Sequence, residues 1–539
     1  MQRNQTQENR RGVRKGPGRR LVAMLLAVAL GVLAACSGGT EGDDAATLDS
    51  FEAGVFRGIP RGFDPAFAGL PYGLSLLAVL EPLVSVDVAT GEFVPNLAES
   101  YEQVDETTYT FQLRDDVTFS DGSPMTVEDV VYSLSIHLDP SEESSLAGDW
   151  ESVESVEATG EREITVRLTQ PNILFLTVLA SSGVLKQSVR EEQGDSRGTP
   201  SALPVGTGPY TIADFAPSEL AVLERNEEYW GEPAPVRDLT IRVVGDENTA
   251  LASFRAGELD AVFEVPALRS AQYEDNGTLV TAVDPEFTQV FLNPNIAPFD
   301  DEHVRRAVIH SIDKEGVANS VYGGFAAPAP AIVSRPLLEQ LMTQSEVETL
   351  LEEVSLPYDM NLAREELAQS EYPDGFSVET VVNGAEPDLG QFALAIQDNL
   401  SELGIELEFS EINQTQYTDA VFLREPHDIG FGISTFGFNS YTPYEQILGL
   451  MLPGFSNLAD YGGPEVERLV EELVALSPDD TEQIGETISA LLRQHAEDAV
   501  YGTVVAGDSI SALRDPYTYE DYSPAWVLGP WYRQLLLGT

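Results

Sequence analysis

The run ALAIQDNLSELGIELEF at residues 393–409 changes its hydrophobic period from that of a helix to that of a strand. Apolar residues recur every three or four positions from Ala393 to Leu403, which is the spacing of one buried helix face. Gly404 is a typical helix stop, and residues 405–409 then alternate apolar and acidic side chains with the two-residue period of a strand. This run predicts a helix–glycine–strand unit, which is a building block of α/β proteins.

The same two periods recur on the N-terminal side of this unit. Residues 107–113 (TTYTFQL) and 163–168 (EITVRL) alternate as half-buried strands do. Asp300 or Asp301 is expected to cap a helix whose apolar face ends at Ile312. Helices and strands therefore alternate along the chain, and we predict a mixed α/β fold.

The N-terminal segment has the three parts of a secretion signal. Basic residues precede an apolar run at residues 21–35, and small residues close that run in front of Cys36. The sequence Leu-Ala-Ala-Cys at residues 33–36 matches a lipobox, so we expect Cys36 to be lipidated and to become the mature N-terminus. An ordinary signal peptide followed by an incidental cysteine is the alternative, and export by the Sec or the twin-arginine route stays open. Residues 36–47 are rich in Gly, Asp and Ala and predict a flexible tether.

Cysteine count and charge exclude several classes of function. Cys36 is the only cysteine, so the folded part offers no disulfide, no cysteine-based metal site and no thiol catalysis. Without residues 1–35 the chain holds 23 basic and 88 acidic residues, a net charge of −65. Such a charge disfavours nucleic acid, whose phosphates need Lys and Arg, and also anionic lipid surfaces. We therefore expect no nucleic-acid partner and contact with a membrane only through the lipid anchor.

Motifs of common enzyme classes are missing from the sequence. There is no Gly-Lys pair for a phosphate-binding P-loop, and Gly206-Thr-Gly208 lacks the third glycine of a dinucleotide loop. No Gly-x-Ser-x-Gly elbow occurs, and the five histidines are not spaced as metal ligands. We predict a protein without catalysis, without a cofactor and without a metal site.

Several sequence blocks, found in a fixed order, carry a family resemblance. They are FDPA at residues 63–66, the long block at 80–134 that begins LEPLVSVDVATGEF, LPVGTGPY at 203–210, FRAGELDAVFEVP at 254–266 and APFDDEHVRRAVIHSIDKEGVANSVYGGFAAPA at 297–329. Together they resemble the peptide/nickel/oligosaccharide-binding family of ABC transporter solute-binding proteins, and within it the dipeptide- and oligopeptide-binding lipoproteins. The resemblance covers nearly all of residues 50–510.

The resemblance implies a two-lobed fold of the periplasmic-binding-protein type II class with an additional inserted α/β domain. Ligand would bind in the cleft between lobes I and III, and closure about a hinge would exclude water from it. The predicted division is a signal peptide at 1–35, a lipidated tether at 36–47, lobe I at 48–86, 205–290 and 500–539, the inserted domain at 87–204, and lobe III at 291–499.

The segment at residues 428–445 departs from the peptide-binding pattern of that family. Peptide binders resemble one another in a Trp-x-x-Asp-Tyr-x-x-Pro stretch, whose Asp pairs with the α-ammonium group of the peptide. Two registers are open here, and they place Asn439 or Gly437 at the position of that Asp, so neither supplies a carboxylate. The sequence therefore favours a neutral or differently charged solute over a free-amine peptide. The residues expected to bind the solute are Tyr72, Phe436, Asn439 and Tyr441.

The export signal and the resemblance together predict a monomeric, lipid-anchored receptor on the extracytoplasmic face of the membrane, periplasmic in a Gram-negative cell. It would capture a peptide-like solute, an oligosaccharide or a chelate and deliver it to the permease and ATPase subunits of an ABC importer. Two alternatives stay open, a secreted cell-wall hydrolase and a ligand-sensing lipoprotein without transport.

Overall fold

The computed structural model describes residues 48–56, 62–67, 73–87, 92–384, 386–422, 429–436, 442–453, 456–519 and 530–537. The predicted signal peptide and Cys36 lie outside these residues. Among the helices of the described ranges, none combines the length and the apolar character needed to cross a bilayer.

Short strands alternate with helices along the described chain. The strands are β1 Leu48–Val55, β2 Val84–Val86, β3 Phe93–Pro95, β4 Ala98–Asp105, β5 Thr108–Leu113, β6 Val153–Ala158, β7 Glu163–Leu168, β8 Tyr210–Ala216, β9 Leu220–Arg225, β10 Val236–Val243, β11 Ala261–Val262, β12 Gly277–Leu292, β13 Ala326–Pro328, β14 Ser377–Asn383, β15 Glu406–Ile412, β16 Phe431–Phe436, β17 Tyr501–Arg514, β18 Tyr517–Tyr519 and β19 Leu535–Leu537. The α-helices are α1 Gly73–Leu76, α2 Val127–Ser135, α3 Phe175–Ala180, α4 Gln187–Gln193, α5 Glu247–Ala256, α6 Glu302–Ser311, α7 Lys314–Ser320, α8 Arg335–Leu338, α9 Gln344–Val354, α10 Met360–Gln369, α11 Pro387–Ser401, α12 Gln414–Tyr417, α13 Pro443–Met451, α14 Pro464–Val474 and α15 Thr481–Asp498.

The helix–glycine–strand unit predicted from residues 393–409 is confirmed by α11 and β15. Gly404 follows the helix with a φ of +75°, in the left-handed region that favours glycine. The helix begins at Pro387, before the first residue of the predicted apolar stripe. β5 and β7 confirm the two alternating strands, and Asp301 rather than Asp300 caps α6 by accepting the backbone N–H of His303.

One nine-stranded sheet organises most of the chain. Its order is β16-β12-β17-β11-β1-β10-β9-β8, with β13 added beside β17. β1 pairs in parallel with β10 and β11, whereas the other pairs are antiparallel. A separate antiparallel sheet, β4-β5-β7-β6, lies within the predicted inserted domain. β12 and β17 span 16 and 14 residues and connect the two halves of the large sheet.

Buried apolar side chains form separate cores on the two halves of the large sheet. The largest core is built by residues 48–263 together with side chains from the C-terminal segment. In the other half, Phe287 and Phe291 of β12 pack with α9, α13, α14 and α15, whereas Val290 and Leu292 pack with α6, α7, α10 and α11. Successive side chains of a strand point to opposite faces of a sheet. The half formed by β16, β12 and β17 is therefore covered by helices on both faces.

The LPVGTGPY block is a close backbone contact. A Cβ atom on Gly206 would stand 2.0 Å from the carbonyl oxygen of Val79. The N–H of Gly208 donates to that same oxygen at 3.0 Å. Glycine is required at both positions because the two chain segments touch through their backbones. The block therefore holds β8, the first strand of the β8–β9 hairpin, against the turn that follows α1.

A buried ion pair joins the FDPA block to the predicted inserted domain. The guanidinium of Arg190 on α4 donates to both carboxylate oxygens of Asp64, at 2.8 and 3.1 Å. The two side chains are 3% and 2% exposed. Arg190 also donates to Glu142 at 2.6 Å and to the hydroxyl of Tyr132 at 3.1 Å. Asp64 is therefore a scaffold residue that fixes the position of α4.

Candidate ligand-binding cleft

The two halves of the large sheet are joined where the β12–β17 pairing is interrupted. Val283 pairs with Asp508, but the next paired residues are Phe287 and Ala506. Three residues of β12 thus face the single residue Gly507 of β17, which is a β-bulge. A bulge leaves ladder hydrogen bonds unmade, so the pairing of β12 with β17 is interrupted between the two halves. This is the geometry of a hinge between two lobes.

Phe436 is the one predicted ligand-binding residue that lies within the described ranges. It ends β16, is partly exposed, and its ring centroid lies 5.8 Å from that of Phe287 just beyond the hinge. Gly449 of α13 allows this helix to approach, because a Cβ there would stand 2.8 Å from the Phe436 ring. The ring therefore packs partly into the core and partly faces outward near the hinge. Tyr72, Asn439 and Tyr441 lie outside the described residues, as does the predicted lipidation site Cys36.

Glu386 lies on the opposite face of the sheet from Phe436. Its carboxylate accepts hydrogen bonds from the side-chain amide of Asn383 at 2.7 Å and from the hydroxyl of Thr435 at 3.1 Å. Thr435 directly precedes Phe436 in β16, and adjacent strand residues point to opposite faces. Glu386 is therefore held at the end of β16 by groups from two different strands.

Asp388, in the first turn of α11, is partly buried and lies within the electrostatic reach of two other carboxylates. Burial raises the pKa of Asp388 to about 6, and the charges of Glu247 and Glu386 act in the same direction. Glu247 begins α5, which follows β10 in the half of the sheet that contains β1. We call Glu247, Glu386 and Asp388 the acidic rim. The three residues come from both halves of the sheet, and the charges of the two glutamates disfavour the ionised form of Asp388.

One carboxylate oxygen of Glu247 is left without a hydrogen-bond partner. Its Oε2 accepts from Arg269 at 3.0 Å, whereas its Oε1 is buried and accepts no hydrogen bond from the described chain. A buried acceptor without a donor is costly. This buried Oε1 is therefore an acceptor that the described chain leaves without a donor.

Tyr322 and Thr288 lie next to the acidic rim. Their hydroxyl groups form a hydrogen bond with each other. Burial raises the pKa of Tyr322 above its usual range, and the nearby charges of Asp388, Glu286 and Glu386 act in the same direction. The phenol therefore stays protonated and can donate or accept a hydrogen bond, but it carries no charge to balance the carboxylates.

The predicted inserted domain also touches the helices of the predicted lobe III. Ile173 is 1% exposed in the core of α13 and α14, and its N–H donates to the carbonyl of Val474 at 3.1 Å. The hydroxyl of Thr177 donates to the carboxylate of Glu445 in α13. These contacts join the predicted inserted domain directly to α13 and α14.

The ligand-binding role of Phe436 stays a prediction, and sequence reasoning did not point to the acidic rim. In a chain with 89 acidic residues, three further carboxylates carry no local signal. Glu247 and Asp388 are also far apart in sequence, and only the fold brings them together. Within the described ranges, no three His, Cys, Asp or Glu side chains are grouped closely enough to hold a metal ion.

A hinge between two α/β halves, with polar groups facing each other beside it, defines a two-lobed ligand-binding protein. Residues 92–450, more than half of the chain, match the family described as bacterial extracellular solute-binding proteins, family 5, middle region. The protein therefore belongs to this family of extracytoplasmic solute-binding proteins and is a solute receptor of an ABC importer. The family resemblance and the function class predicted from the sequence are confirmed.

Two relatives of known name align with most of the chain. Heme-binding protein A of Haemophilus influenzae is 26% identical over 455 residues, which cover 78% of this chain and 80% of that protein. The glutathione-binding protein of Escherichia coli strain K12 is 26% identical over 411 residues, which cover 74% of each chain.

Solved structures show the same fold. An ABC transporter-associated periplasmic binding protein of Helicobacter pylori, in complex with the peptide STSA, has a TM-score of 0.78 at 19% identity, covering 92% of this chain and 99% of that one. A periplasmic binding protein of A. tumefaciens R10 in complex with agropinic acid has a TM-score of 0.76 at 20% identity, covering 91% and 99%. The predicted type II periplasmic-binding-protein fold is thereby confirmed. The domain boundaries stay predictions.

Proposed function

We propose that this receptor captures a small, peptide-like solute that carries a positively charged group, and holds that group at the acidic rim. The observations that support the proposal are the partial burial of Asp388, the negative charges of Glu247 and Glu386 that act on it, and the Glu247 Oε1 that has no donor in the described chain. The solute would then pass to the permease and ATPase subunits of the importer. The cleft is proposed to bind and release the solute without chemical change, as binding proteins of this family do.

The charge balance of the rim supports a cationic ligand group. Three carboxylates lie there, and Arg269 is the guanidinium paired with one of them. The raised pKa of Asp388 means that its charged form is poorly stabilised in the absence of a cation. An ammonium or guanidinium group would stabilise that charge and supply the donor that Glu247 Oε1 lacks. One charge-assisted hydrogen bond of this kind contributes about 1.5–3 kcal/mol.

The acidic rim changes the expectation drawn from residues 428–445. That segment contains no carboxylate at the position of the family's amine-pairing Asp, and on that ground the sequence favoured a neutral or differently charged solute. Glu386 is hydrogen-bonded to Thr435 at the end of β16, directly before this segment. We propose that the rim takes over the role of the missing carboxylate, and that Phe436, with Tyr72, Asn439 and Tyr441, contacts the remainder of the solute.

The named relatives and solved structures bind chemically different ligands, among them heme, glutathione, a peptide and agropinic acid. The identity of the solute therefore has to be measured on this protein. Native mass spectrometry of the purified receptor would give the mass of any solute that copurifies with it. Calorimetric titration with amine-bearing and N-acetylated peptides of the same sequence would then test the charge requirement.

Matched variants connect that test to the acidic rim. Asp388→Asn and Glu386→Gln are expected to weaken the binding of an amine-bearing solute about ten- to a hundredfold, the equivalent of one charge-assisted hydrogen bond. Glu348→Gln, an exposed position on α9, is the control and should bind as the parent does. Equal affinity for amine-bearing and N-acetylated peptides, together with unchanged binding by Asp388→Asn, would show that the rim holds no cationic group.

The export signal supports a second proposal about location. The family is extracytoplasmic, and the sequence Leu-Ala-Ala-Cys at residues 33–36 closes the apolar run of the signal. We propose that Cys36 carries the lipid anchor and that residues 36–47 tether the receptor to the membrane. Two or more acyl chains anchor a protein stably, whereas a single chain binds only marginally.

A further inference from the structure

Lys314 is a buried lysine without a counter-ion. It is 8% exposed at the start of α7, and its ammonium donates one hydrogen bond, to the carbonyl oxygen of Ala329 at 3.1 Å. An ammonium group has three donors. No carboxylate of the described residues forms an ion pair with it, and the adjacent Asp313 instead caps α7 by accepting the N–H of Gly316 at 2.9 Å. In a chain with 89 acidic residues, an unpaired buried cation is unexpected.

The ammonium lines a small cavity between the two cores of the predicted lobe III. Polar lining residues include His495 and Thr503, and apolar ones include Ile309 and Leu492. Aspartate and glutamate are absent from the lining of this cavity. The space is about that of one water-sized particle. The cavity therefore combines a positive charge with room for a small partner.

His495 adds a hydrogen-bond donor to the polar groups around the cavity. Its Nε2 accepts the backbone N–H of Tyr501 at 3.0 Å, which places the ring proton on Nδ1. Burial lowers the pKa of His495 to about 4, so the ring is neutral at pH 7. Burial also lowers the pKa of Lys314 to about 8, so the ammonium is still largely protonated at that pH. The polar side chains that line the cavity thus include an ammonium, a neutral imidazole and a hydroxyl, and no carboxylate is among them.

We propose that this cavity binds a small monovalent anion of halide size, with chloride as the natural ligand, directly against the ammonium of Lys314. Burying an unpaired charge is costly, and an anion in contact with the ammonium would offset that cost. A single water molecule could accept a hydrogen bond from Lys314 but would leave the charge uncompensated.

Occupancy of the site would stabilise the half of the molecule built around β17. Tyr501, Gly502 and Thr503 line the cavity, and the same strand continues to the hinge bulge at Gly507. The site lies apart from the acidic rim and has the opposite charge. It is therefore independent of the proposed solute site, and either can fail without the other.

Thermal unfolding at a constant sodium concentration tests the proposal. Chloride is exchanged stepwise for gluconate, which is too large for the cavity. Because the sodium concentration is constant, the screening of the acidic surface by cations stays the same. The parent is expected to show an unfolding midpoint that rises with chloride and saturates, and Lys314→Met should lose this response. Lys186→Met is the matched control, because Lys186 is the other lysine outside residues 1–35 and pairs with Asp121; it should keep the response.

Crystals of the parent soaked in sodium bromide give a readout that does not depend on a variant. An anomalous peak in the cavity, in contact with Lys314 Nζ, is the expected result. A water molecule there without anomalous signal, or equal unfolding midpoints in chloride and gluconate, would overturn the proposal. If Lys314→Met does not fold, the bromide experiment decides alone.

Discussion

The Asp64–Arg190 pair allows a quantitative prediction of how the predicted inserted domain is attached. Arg190→Met removes a guanidinium that donates to Asp64 at 2.8 and 3.1 Å and to Glu142 at 2.6 Å. Asp64, 2% exposed, would then keep only the backbone N–H of Ala66 as a donor within the described structure. Removing one partner of a buried ion pair costs about 3–5 kcal/mol, because the other charge stays buried. We expect Arg190→Met to lower the free energy of unfolding by an amount within that range.

A double-mutant cycle separates the pair from the general effect of substitution. Asp64→Asn keeps an oxygen that can accept the Ala66 N–H but no longer carries a charge to pair with Arg190. The double variant Asp64→Asn/Arg190→Met contains neither charge, so its cost should be smaller than the sum of the single variants by roughly 2–3 kcal/mol. Urea unfolding followed by far-UV circular dichroism measures these differences in the free energy of unfolding.

An exposed ion pair provides the control for this cycle. Arg468 on α14 pairs with Glu465 at 2.7 Å, and both side chains are more than half exposed. Such surface pairs contribute at most about 1 kcal/mol, so Arg468→Met should have little effect. If Arg190→Met costs no more than Arg468→Met, or if the cycle shows no coupling, the buried pair does not hold the inserted domain and the reasoning fails.

Three further predictions concern the anchor, a backbone contact and the rim. Cys36→Ala should release the receptor from the membrane fraction in cell fractionation, and retention as firm as that of the parent would contradict the lipid anchor. Gly206→Ala places a Cβ 2.0 Å from the Val79 carbonyl and should cost about 3 kcal/mol or more in the free energy of unfolding, whereas Gly148→Ala, with no atom within 4 Å, should cost little. The pKa of Asp388 is raised to about 6, so its carboxylate is charged above that pH and protonated below it. The affinity for a cationic solute, measured by calorimetry, should therefore rise by about tenfold between pH 5 and pH 7. Asp388→Asn should remove this rise in affinity. If the rise persists in the variant, another group causes it.

The local elements of this fold could be predicted because their signals are local. The apolar stripe before Gly404 and the alternation after it describe α11 and β15 without any knowledge of the rest of the chain. The stripe extends beyond the predicted first residue, because Leu389 and Phe392 continue it towards the N-terminus and are buried in the same core. Periodicity identifies the buried face of a helix, and an amphipathic stripe need not begin where the helix begins.

The hinge and the acidic rim could not be predicted in the same way. The bulge opposite Gly507 depends on how two strands more than 200 residues apart are paired, and neither strand alone has a pattern that marks it. The approach of Glu247 to Asp388 likewise depends on the arrangement of the two halves of the sheet. Phe436 was chosen as a candidate because the family resemblance pointed to residues 428–445. The local sequence pattern did not mark this residue.

The charges on the surface of this protein and the carboxylates of the acidic rim act on a solute over different distances. A net charge of −65 outside residues 1–35 attracts cationic solutes, but salt screens exposed charges beyond about 10 Å at 0.1 M. The surface therefore favours encounter with cations more than it holds any one of them. Asp388 is partly buried, and its raised pKa shows that water stabilises its charge poorly. In the proposed binding mode, a cationic group at the rim would stabilise this carboxylate and a neutral solute would not, so the rim would select among the solutes that the surface attracts. Closure of the cleft, which the family resemblance implies, would strengthen that selection, because removal of water strengthens the interaction between the charges that remain.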